Sequence, residues 1–231
     1  MTAAILAGGF GVRLRPAVAD RPKVLAPVAG RPFVAHLLAQ LEAAGVRDVV
    51  LCTGYGGDQV HAALGERHGA VTLRYSREPA PLGTGGALRL AAPLIAGPTA
   101  LVLNGDSFCD VELRDAWAAH CAHGAEGTLV LTDVPDPSRY GRVEVDPSGA
   151  VRGFHEKDGA RGPGLINAGV YLLARDLLRA IPSSAPCSFE REVLPAWCDG
   201  RLRGYVTRGR FVDIGTPESY ASATTLLAEE G

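Results

Sequence analysis

Strand-like and helix-like segments alternate along residues 1–134, and this order constrains the fold more than any other feature of the sequence. Short apolar runs are each followed by a segment with apolar residues at helical spacing. The predicted strands are Thr2–Ala7, Asp48–Thr53, Val71–Ser76, Ala100–Asn104 and Thr128–Val134, and the predicted helices are Phe33–Ala44, Gln59–Arg67, Thr84–Leu94 and Leu113–His123. The repeated order predicts a mainly parallel sheet with helices on both faces.

The pattern changes after about Pro135. Arg142–Val145 and Val151–His155 flank Asp146-Pro147-Ser148-Gly149, a turn sequence that predicts a hairpin. The other predicted elements are strands Val170–Leu173, Arg203–Val206 and Arg210–Asp213 and helices Phe189–Trp197 and Tyr220–Glu229. Because no linker or repeat separates the halves, we expect one domain over residues 1–231, in which a smaller lobe at about 135–231 completes a site begun by residues 1–134.

Composition excludes several classes of protein. With 231 residues, 47% of them hydrophobic, the chain can bury its own core. A net charge of −2 argues against a nucleic-acid partner. No apolar run approaches the roughly 20 residues of a bilayer span, and the start lacks the charge pattern of a signal peptide, so no membrane partner is expected. Five cysteines without CxxC spacing indicate reduced thiols and a cytoplasmic location.

A glycine-rich loop, Leu6-Ala7-Gly8-Gly9-Phe10-Gly11-Val12-Arg13, follows the first predicted strand. Consecutive glycines let a backbone approach a ligand and point its N–H groups at phosphates. Ligands of open α/β sheets lie beyond the carboxyl ends of the strands, where this loop falls. The loop is not a dinucleotide fingerprint, because Leu14 stands where the third glycine is needed, and no Walker A sequence follows. Alone, it is also compatible with a simple tight turn.

Lysine is retained at two positions in a chain that otherwise uses arginine. Of the 23 basic residues, only Lys23 and Lys157 are lysines. An ammonium is a compact point charge, whereas a guanidinium is a broad planar fork. Lys23 follows Arg13 by ten residues, and both could neutralise phosphate charges near the glycine-rich loop.

Two aspartates end strand-like runs. Asp106 lies in Asn104-Gly105-Asp106-Ser107, and Asp213 lies in Phe211-Val212-Asp213-Ile214-Gly215. Each alone is compatible with an ordinary turn. Together with a phosphate loop they suit a shared Mg²⁺, which takes one or two carboxylates plus phosphate oxygens.

These motifs resemble the sugar-1-phosphate nucleotidyltransferase family, whose signature is a GGxGxRLxP loop followed, ten residues after its arginine, by a Pro-Lys lysine. The resemblance covers nearly the whole chain, with Ala17-Val18 where Leu-Thr is usual. It implies a Rossmann-like, mainly parallel sheet flanked by helices, with a smaller sugar-binding lobe. It also implies a nucleotide-binding part at about 1–134, a sugar-phosphate-binding part at about 135–231, and the joining of an NTP to a sugar 1-phosphate with release of pyrophosphate.

The resemblance assigns a role to each candidate residue. It implies that Arg13, Lys23, Asp106 and Asp213 are catalytic, and that Asp106 and Asp213 bind Mg²⁺. The implied nucleotide-binding residues are Leu6, Ala7, Gly8, Gly9, Gly11, Arg13, Lys23, Glu78, Gly83, Thr84 and Asp106. Glu78–Gly86 becomes the base-recognition loop, although its Leu-Gly-Thr-Gly-Gly departs from the common Leu-Gly-Thr-Ala.

The second half supplies the sugar side of the resemblance. A sugar 1-phosphate needs a cation for its phosphate and hydrogen-bonding groups for its hydroxyls. The family's E-K and N-A-G motifs fall on Glu156-Lys157 and on Asn167, and Gly141 lies in a loop whose backbone is implied to contact the sugar. The implied substrate-binding residues are therefore Gly141, Glu156, Lys157 and Asn167.

Within the family, the Asn-Gly-Asp-Ser, Leu-Gly-Thr-Gly-Gly and Phe-Val-Asp-Ile-Gly-Thr-Pro sequences are most similar to D-glycero-D-manno-heptose 1-phosphate guanylyltransferases. This implies GTP and a heptose 1-phosphate as partners, and leaves a homo-oligomer open. Three alternatives remain: another NTP and hexose 1-phosphate pair, a non-catalytic relative that senses nucleotide sugars, and an NAD-dependent oxidoreductase. The last needs the missing third glycine, and a sensor should have lost one of the four implied catalytic residues.

Overall fold

The computed structural model of the protein describes residues 1–14, 16–18, 20–156, 162–183 and 186–228. The strands in these ranges are β1 (Thr2–Leu6), β2 (Pro27–Val28), β3 (Arg31–Pro32), β4 (Asp48–Thr53), β5 (Arg67–His68), β6 (Val71–Arg77), β7 (Thr99–Asn104), β8 (Ser107–Cys109), β9 (Gly127–Val134), β10 (Gly141–Val145), β11 (Val151–Glu156), β12 (Gly164–Ala174), β13 (Leu202–Thr207) and β14 (Phe211–Asp213). The α-helices are α1 (Phe33–Ala43), α2 (Gly57–Leu64), α3 (Gly83–Ala91), α4 (Leu113–His123), α5 (Arg175–Ala180), α6 (Leu194–Ala196) and α7 (Pro217–Ala228).

Within the described residues, ten strands form one sheet in which the path β11-β10-β12-β7-β1-β4-β6-β5 is extended by β9 beside β12 and by β13 beside β9. Strand β1 lies between β4 and β7 and is parallel to both, and β4 is parallel to β6. Strand β12 runs antiparallel to β7 and joins the strands of the second half to this parallel centre. Strands β8 and β14 form a separate antiparallel pair. The predicted mainly parallel sheet is confirmed.

Alternating side chains of the central strand enter two hydrophobic cores, one on each face of the sheet. Ile5 packs in the cluster that contains Phe33 and Leu37 of α1, whereas its neighbour Ala4 packs in the cluster that contains Leu88 of α3. Since successive strand residues point to opposite faces, α1 and α3 cover opposite sides of the sheet. No helix among the described residues is long and apolar enough to cross a membrane.

Several predicted boundaries need correction. The predicted helix Gln59–Arg67 is α2, which begins at Gly57 and ends at Leu64 because Gly65 adopts a φ of +62°. The chain can then form β5 at Arg67–His68, beside β6. Helix α5 has no counterpart in the prediction, and the end of the predicted helix Tyr220–Glu229 lies outside the described residues.

The predicted strand Val170–Leu173 is only the end of the eleven-residue β12. Its pairing with β9 shifts between Asn167 and Tyr171, so four residues of β12 advance while β9 advances by two, from Leu131 to Leu129. At the centre of this bulge Gly169 has a φ of +74°, and a Cβ atom there would lie 2.4 Å from the Ser107 Oγ. The Asn-Ala-Gly sequence is therefore a bulge that lets β12 approach the turn after β7.

The bulge provides a test of this packing. Gly169→Ala should lower the free energy of unfolding by about 2–5 kcal/mol, because it adds a steric clash to the strain of a positive φ. Gly97→Ala is the matched control, since Gly97 has a φ of +87° and no atom within 4 Å of an added methyl. It should cost only about 1–2 kcal/mol. Urea unfolding of both variants measures the difference, and equal losses would contradict the packing argument.

Candidate functional site

One cleft of about 760 Å³ lies at the carboxyl ends of β1, β4, β6 and β7. The sequence-predicted residues that line it are Leu6, Ala7, Gly8, Gly9, Arg13, Lys23, Glu78, Gly83, Thr84, Asp106, Gly141, Glu156, Asn167 and Asp213. Gly11 does not line the cleft, and Lys157 lies outside the described residues. The fold thus brings together residues from both halves of the chain, whose roles in binding stay predictions.

The glycine-rich loop packs directly against the next strand ends. A Cβ atom on Gly8 would lie 2.8 Å from the Glu78 Oε1 and 3.0 Å from the Gly54 nitrogen. Gly11, with a φ of +59°, packs instead against the stem of Lys23, whose Cβ would lie 3.2 Å from an added methyl. Glycine at position 8 therefore keeps the cleft floor narrow, and glycine at position 11 makes room for the lysine.

Lys23 and Asp106 form an ion pair at the centre of the cleft. The Lys23 Nζ lies 2.7 Å from the Asp106 Oδ2, and the two side chains are 11% and 47% exposed. The Gly105 N–H donates to the Leu6 oxygen at 3.0 Å, and a Cβ on Gly105 would lie 2.3 Å from that oxygen. This contact ties the turn that carries Asp106 to the end of β1.

Three donors hold the Asp213 carboxylate. Its Oδ1 accepts hydrogen bonds from the Gly215 N–H at 2.7 Å and the Ser219 hydroxyl at 2.9 Å. Its Oδ2 accepts one from the Tyr140 hydroxyl at 2.8 Å. Burial and the Asp213 carboxylate raise the pKa of Tyr140 to about 12, so the phenol keeps its proton and donates at neutral pH.

The two aspartates fit a magnesium ion supplied together with phosphates. Strands β8 and β14 place Asp213 opposite Ser107, and the Ile214 N–H donates to the main-chain carbonyl oxygen of Asp106 at 2.9 Å. No cluster of three or more Asp, Glu, His or Cys side chains suited to a metal occurs in the described part of the chain. Two carboxylates alone leave most of the six positions around Mg²⁺ to water and phosphate oxygens, which is its usual coordination in nucleotide sites.

Glu78 holds the predicted base-recognition loop in shape. Its Oε2 accepts a hydrogen bond from the Leu82 N–H at 2.8 Å. Burial raises the pKa of Glu78, and the Leu82 hydrogen bond opposes this shift. A carboxylate has about four acceptor positions, so the loop bond leaves capacity for a donor in the cleft.

The predicted sugar side is built from β10, β11 and β12. Gly141 pairs with Glu156, and a Cβ on Gly141 would lie 2.9 Å from the Glu156 Oε2. Asn167 accepts from the Gly169 N–H at 3.1 Å through its Oδ1 and donates to the Tyr171 hydroxyl at 2.6 Å. The Asn167 amide therefore supports the bulge, in addition to facing the cleft.

Sequence reasoning missed several lining residues. Glu190 and Arg191 lie in what the sequence predicts only as a helix, and Phe10 and Tyr55 form an aromatic pair at the rim, with ring centroids 5.4 Å apart. The Tyr140 hydroxyl is also missed, since the sequence predicts that its loop acts through the backbone. No local pattern marks these side chains, because each depends on a partner that is distant in sequence.

The fold and the cleft define a Rossmann-like α/β protein with a large cleft at the carboxyl edge of its parallel strands. The family model described as Nucleotidyl transferase matches residues 2–230, and the chain belongs to this family, which confirms the resemblance. The mannose-1-phosphate guanyltransferase of Aspergillus fumigatus is 40% identical over 233 residues, which cover 98% of this chain and 64% of that relative. The mannose-1-phosphate guanylyltransferase of Mycobacterium tuberculosis is 37% identical over 229 residues, which cover 97% of this chain and 64% of that relative.

The chain therefore spans 64% of the length of these two relatives. One solved structure matches this chain over nearly the full length of both proteins. The crystal structure of HddC from Yersinia pseudotuberculosis complexed with GMP-PN is 31% identical and superposes with a TM-score of 0.87, covering 98% of this chain and 99% of that chain.

The Lys23–Asp106 pair should contribute little to stability. Since Asp106 is half exposed, Lys23→Met should change the free energy of unfolding by less than about 1 kcal/mol. Val24→Ala, which truncates the buried neighbour, should cost about 1–3 kcal/mol and shows that the assay detects packing losses. Urea unfolding measures both. A loss above about 3 kcal/mol in Lys23→Met would make the lysine a structural residue.

Proposed function

We propose that this chain transfers a guanylyl group from GTP to a manno-configured sugar 1-phosphate and releases pyrophosphate. The observation that carries the proposal is that Arg13, Lys23, Asp106, Asp213 and Glu156 all line the same cleft. The names of the two relatives above and the guanine nucleotide analogue in the HddC crystal structure support the choice of GTP.

The proposed reaction is an in-line displacement. An oxygen of the sugar phosphate attacks the α-phosphorus of GTP, the bond to the bridging oxygen breaks, and pyrophosphate leaves with the electron pair. A phosphate dianion is already a nucleophile at neutral pH, so the step needs no general base. Catalysis is then a matter of positioning and charge neutralisation.

The chain's own residues divide this work. Arg13 and Lys23 would neutralise the triphosphate, and Lys157 would orient the attacking phosphate. Asp106 and Asp213 would hold Mg²⁺, which supplies charge neutralisation to the reacting phosphates when bound. Tyr140 would fix the rotamer of Asp213 through its 2.8 Å hydrogen bond.

Two sugars fit the proposal. The sequence resemblance favours D-glycero-D-manno-heptose 1-phosphate, whereas the 40% identical relative is a mannose-1-phosphate guanyltransferase. Both sugars share the manno configuration of the ring and differ in the group at C6. The ring contacts can therefore be the same, and the space beyond C6 decides between them.

Substrate competition tests the proposal. With equimolar GTP, ATP, UTP, CTP and dTTP, the GDP-sugar should dominate, because a guanine site leaves polar groups unpaired against adenine and favours GTP by roughly 100-fold or more. Heptose 1-phosphate, mannose 1-phosphate and glucose 1-phosphate are offered in parallel, and product mass identifies the product. We expect both manno sugars to exceed glucose 1-phosphate. A dominant product with another base would refute the guanine proposal, and no product with any pair would favour a non-catalytic sensor.

Metal removal tests the aspartates. Excess EDTA should abolish turnover, and Asp106→Asn or Asp213→Asn should lower kcat by at least about 100-fold while the protein still folds. Asp176→Asn, at an exposed side chain of α5, is the matched control and should retain full activity. Full turnover in EDTA would exclude the proposed role of Mg²⁺.

A further inference from the structure

A second connection joins the two sides of the cleft, through the start of α3. The Cys187 N–H donates to the Leu82 oxygen and the Gly85 N–H donates to the Cys187 oxygen, both at 2.8 Å. A Cβ on Gly83 would lie 2.4 Å from the Cys187 oxygen. The glycines of the Leu-Gly-Thr-Gly-Gly sequence thus let the base-recognition loop dock against a segment of the second half.

Thr84 and Glu190 complete this connection with side chains. The Thr84 Oγ1 accepts a hydrogen bond from the Phe189 N–H at 2.8 Å and donates one to the Glu190 Oε2 at 2.8 Å. Thr84 is the second residue of α3, and Glu190 lies in a π-helical turn at Phe189–Val193. π-Helical turns are rare, and they are frequently found at functional sites.

Glu190 faces the same part of the cleft as Glu156, which the resemblance assigns to the sugar. Burial raises the pKa of Glu190, its hydrogen bond from Thr84 lowers it, and the nearby carboxylates of Glu156 and Asp106 raise it. All three of these residues line the cleft. A buried carboxylate is costly unless it is hydrogen-bonded, and a ligand in the cleft could add donors to the one that Thr84 supplies.

We propose that Glu190 is a specificity-determining residue of the sugar subsite: its carboxylate accepts a hydrogen bond from a sugar hydroxyl, while Thr84 fixes its position. The assignment rests on the proposed function. Thr84 occupies at least one of about four acceptor positions of the carboxylate, which leaves acceptor capacity for a hydroxyl. Because Thr84 follows Gly83 of the base-recognition loop, the same contact makes sugar recognition depend on the position of that loop.

Binding of GDP and of GDP-mannose, measured by calorimetry, tests the assignment without turnover. Glu190→Gln should weaken GDP-mannose binding roughly 10- to 100-fold, the value of a hydrogen bond to a charged group, and change GDP binding less than about twofold. The matched control is Glu192→Gln on the same turn, whose carboxylate accepts from the Ser188 N–H and whose replacement should change neither affinity. Equal weakening of both ligands, or no weakening, would overturn the assignment.

Analogues of GDP-mannose that each lack one hydroxyl separate recognition from a structural effect. The wild-type protein should bind one analogue about 10-fold more weakly than GDP-mannose. In Glu190→Gln the same analogue should bind less than about threefold more weakly, because the carboxylate that contacts the missing hydroxyl is already absent. Thr84→Val should weaken GDP-mannose binding, whereas Thr84→Ser keeps the hydroxyl and should retain it. Identical penalties in wild type and Glu190→Gln would refute the contact.

Turnover with GTP and mannose 1-phosphate is measured on the same samples. If the wild-type protein makes no product but Glu190→Gln selectively loses GDP-mannose binding, the proposed function is refuted and the assignment of Glu190 stands. Normal turnover together with unchanged GDP-mannose binding in Glu190→Gln would sink the assignment alone.

Discussion

Backbones approach one another unusually closely at the carboxyl edge of the sheet, and the positions of the cleft residues depend on that approach. A Cβ atom would lie 2.3 Å from the Leu6 oxygen at Gly105, 2.4 Å from the Ser107 Oγ at Gly169 and 2.8 Å from the Glu78 Oε1 at Gly8. Any larger residue would force these segments apart. The glycines therefore set the width of the cleft, and this width determines the distances between the charged side chains beside them.

Stability and function rest on different parts of the molecule. The two cores contain the fully buried side chains of β1, α1 and α3, and each large apolar side chain contributes about 1.5–3 kcal/mol on burial. In the Lys23–Asp106 pair the Asp106 side chain is half exposed, and ion pairs exposed to solvent contribute about 0–1 kcal/mol to stability. The charged residues of the cleft are thus retained at little benefit to folding, which is the pattern expected of groups that serve a ligand.

The sequence predicts the elements that depend on local patterns. Leu113–His123 is found with the predicted bounds, and the glycine-rich loop, Lys23 and Asp106 meet at the edge where parallel strands end. The contacts that complete the cleft are not predictable in this way. Tyr140 and Asp213 are separated by 73 residues, and Thr84 and Glu190 by 106. Their pairing is set by the packing of distant segments, and no periodicity or motif within either segment records it.

The excess of carboxylates in the cleft means that a cation such as Lys23 would have to serve both a carboxylate and an anionic substrate. The carboxyl groups of Asp106, Glu156 and Glu190 all line the cleft, so an anionic substrate meets repulsion unless cations offset it. Lys23 lies against Asp106 at 2.7 Å. If it turns to a triphosphate, the Asp106 carboxylate loses that cation, and a divalent ion arriving with the nucleotide can take its place. The proposed reaction then exchanges partners among existing charges, so that neither the Asp106 carboxylate nor the triphosphate is left without a cation.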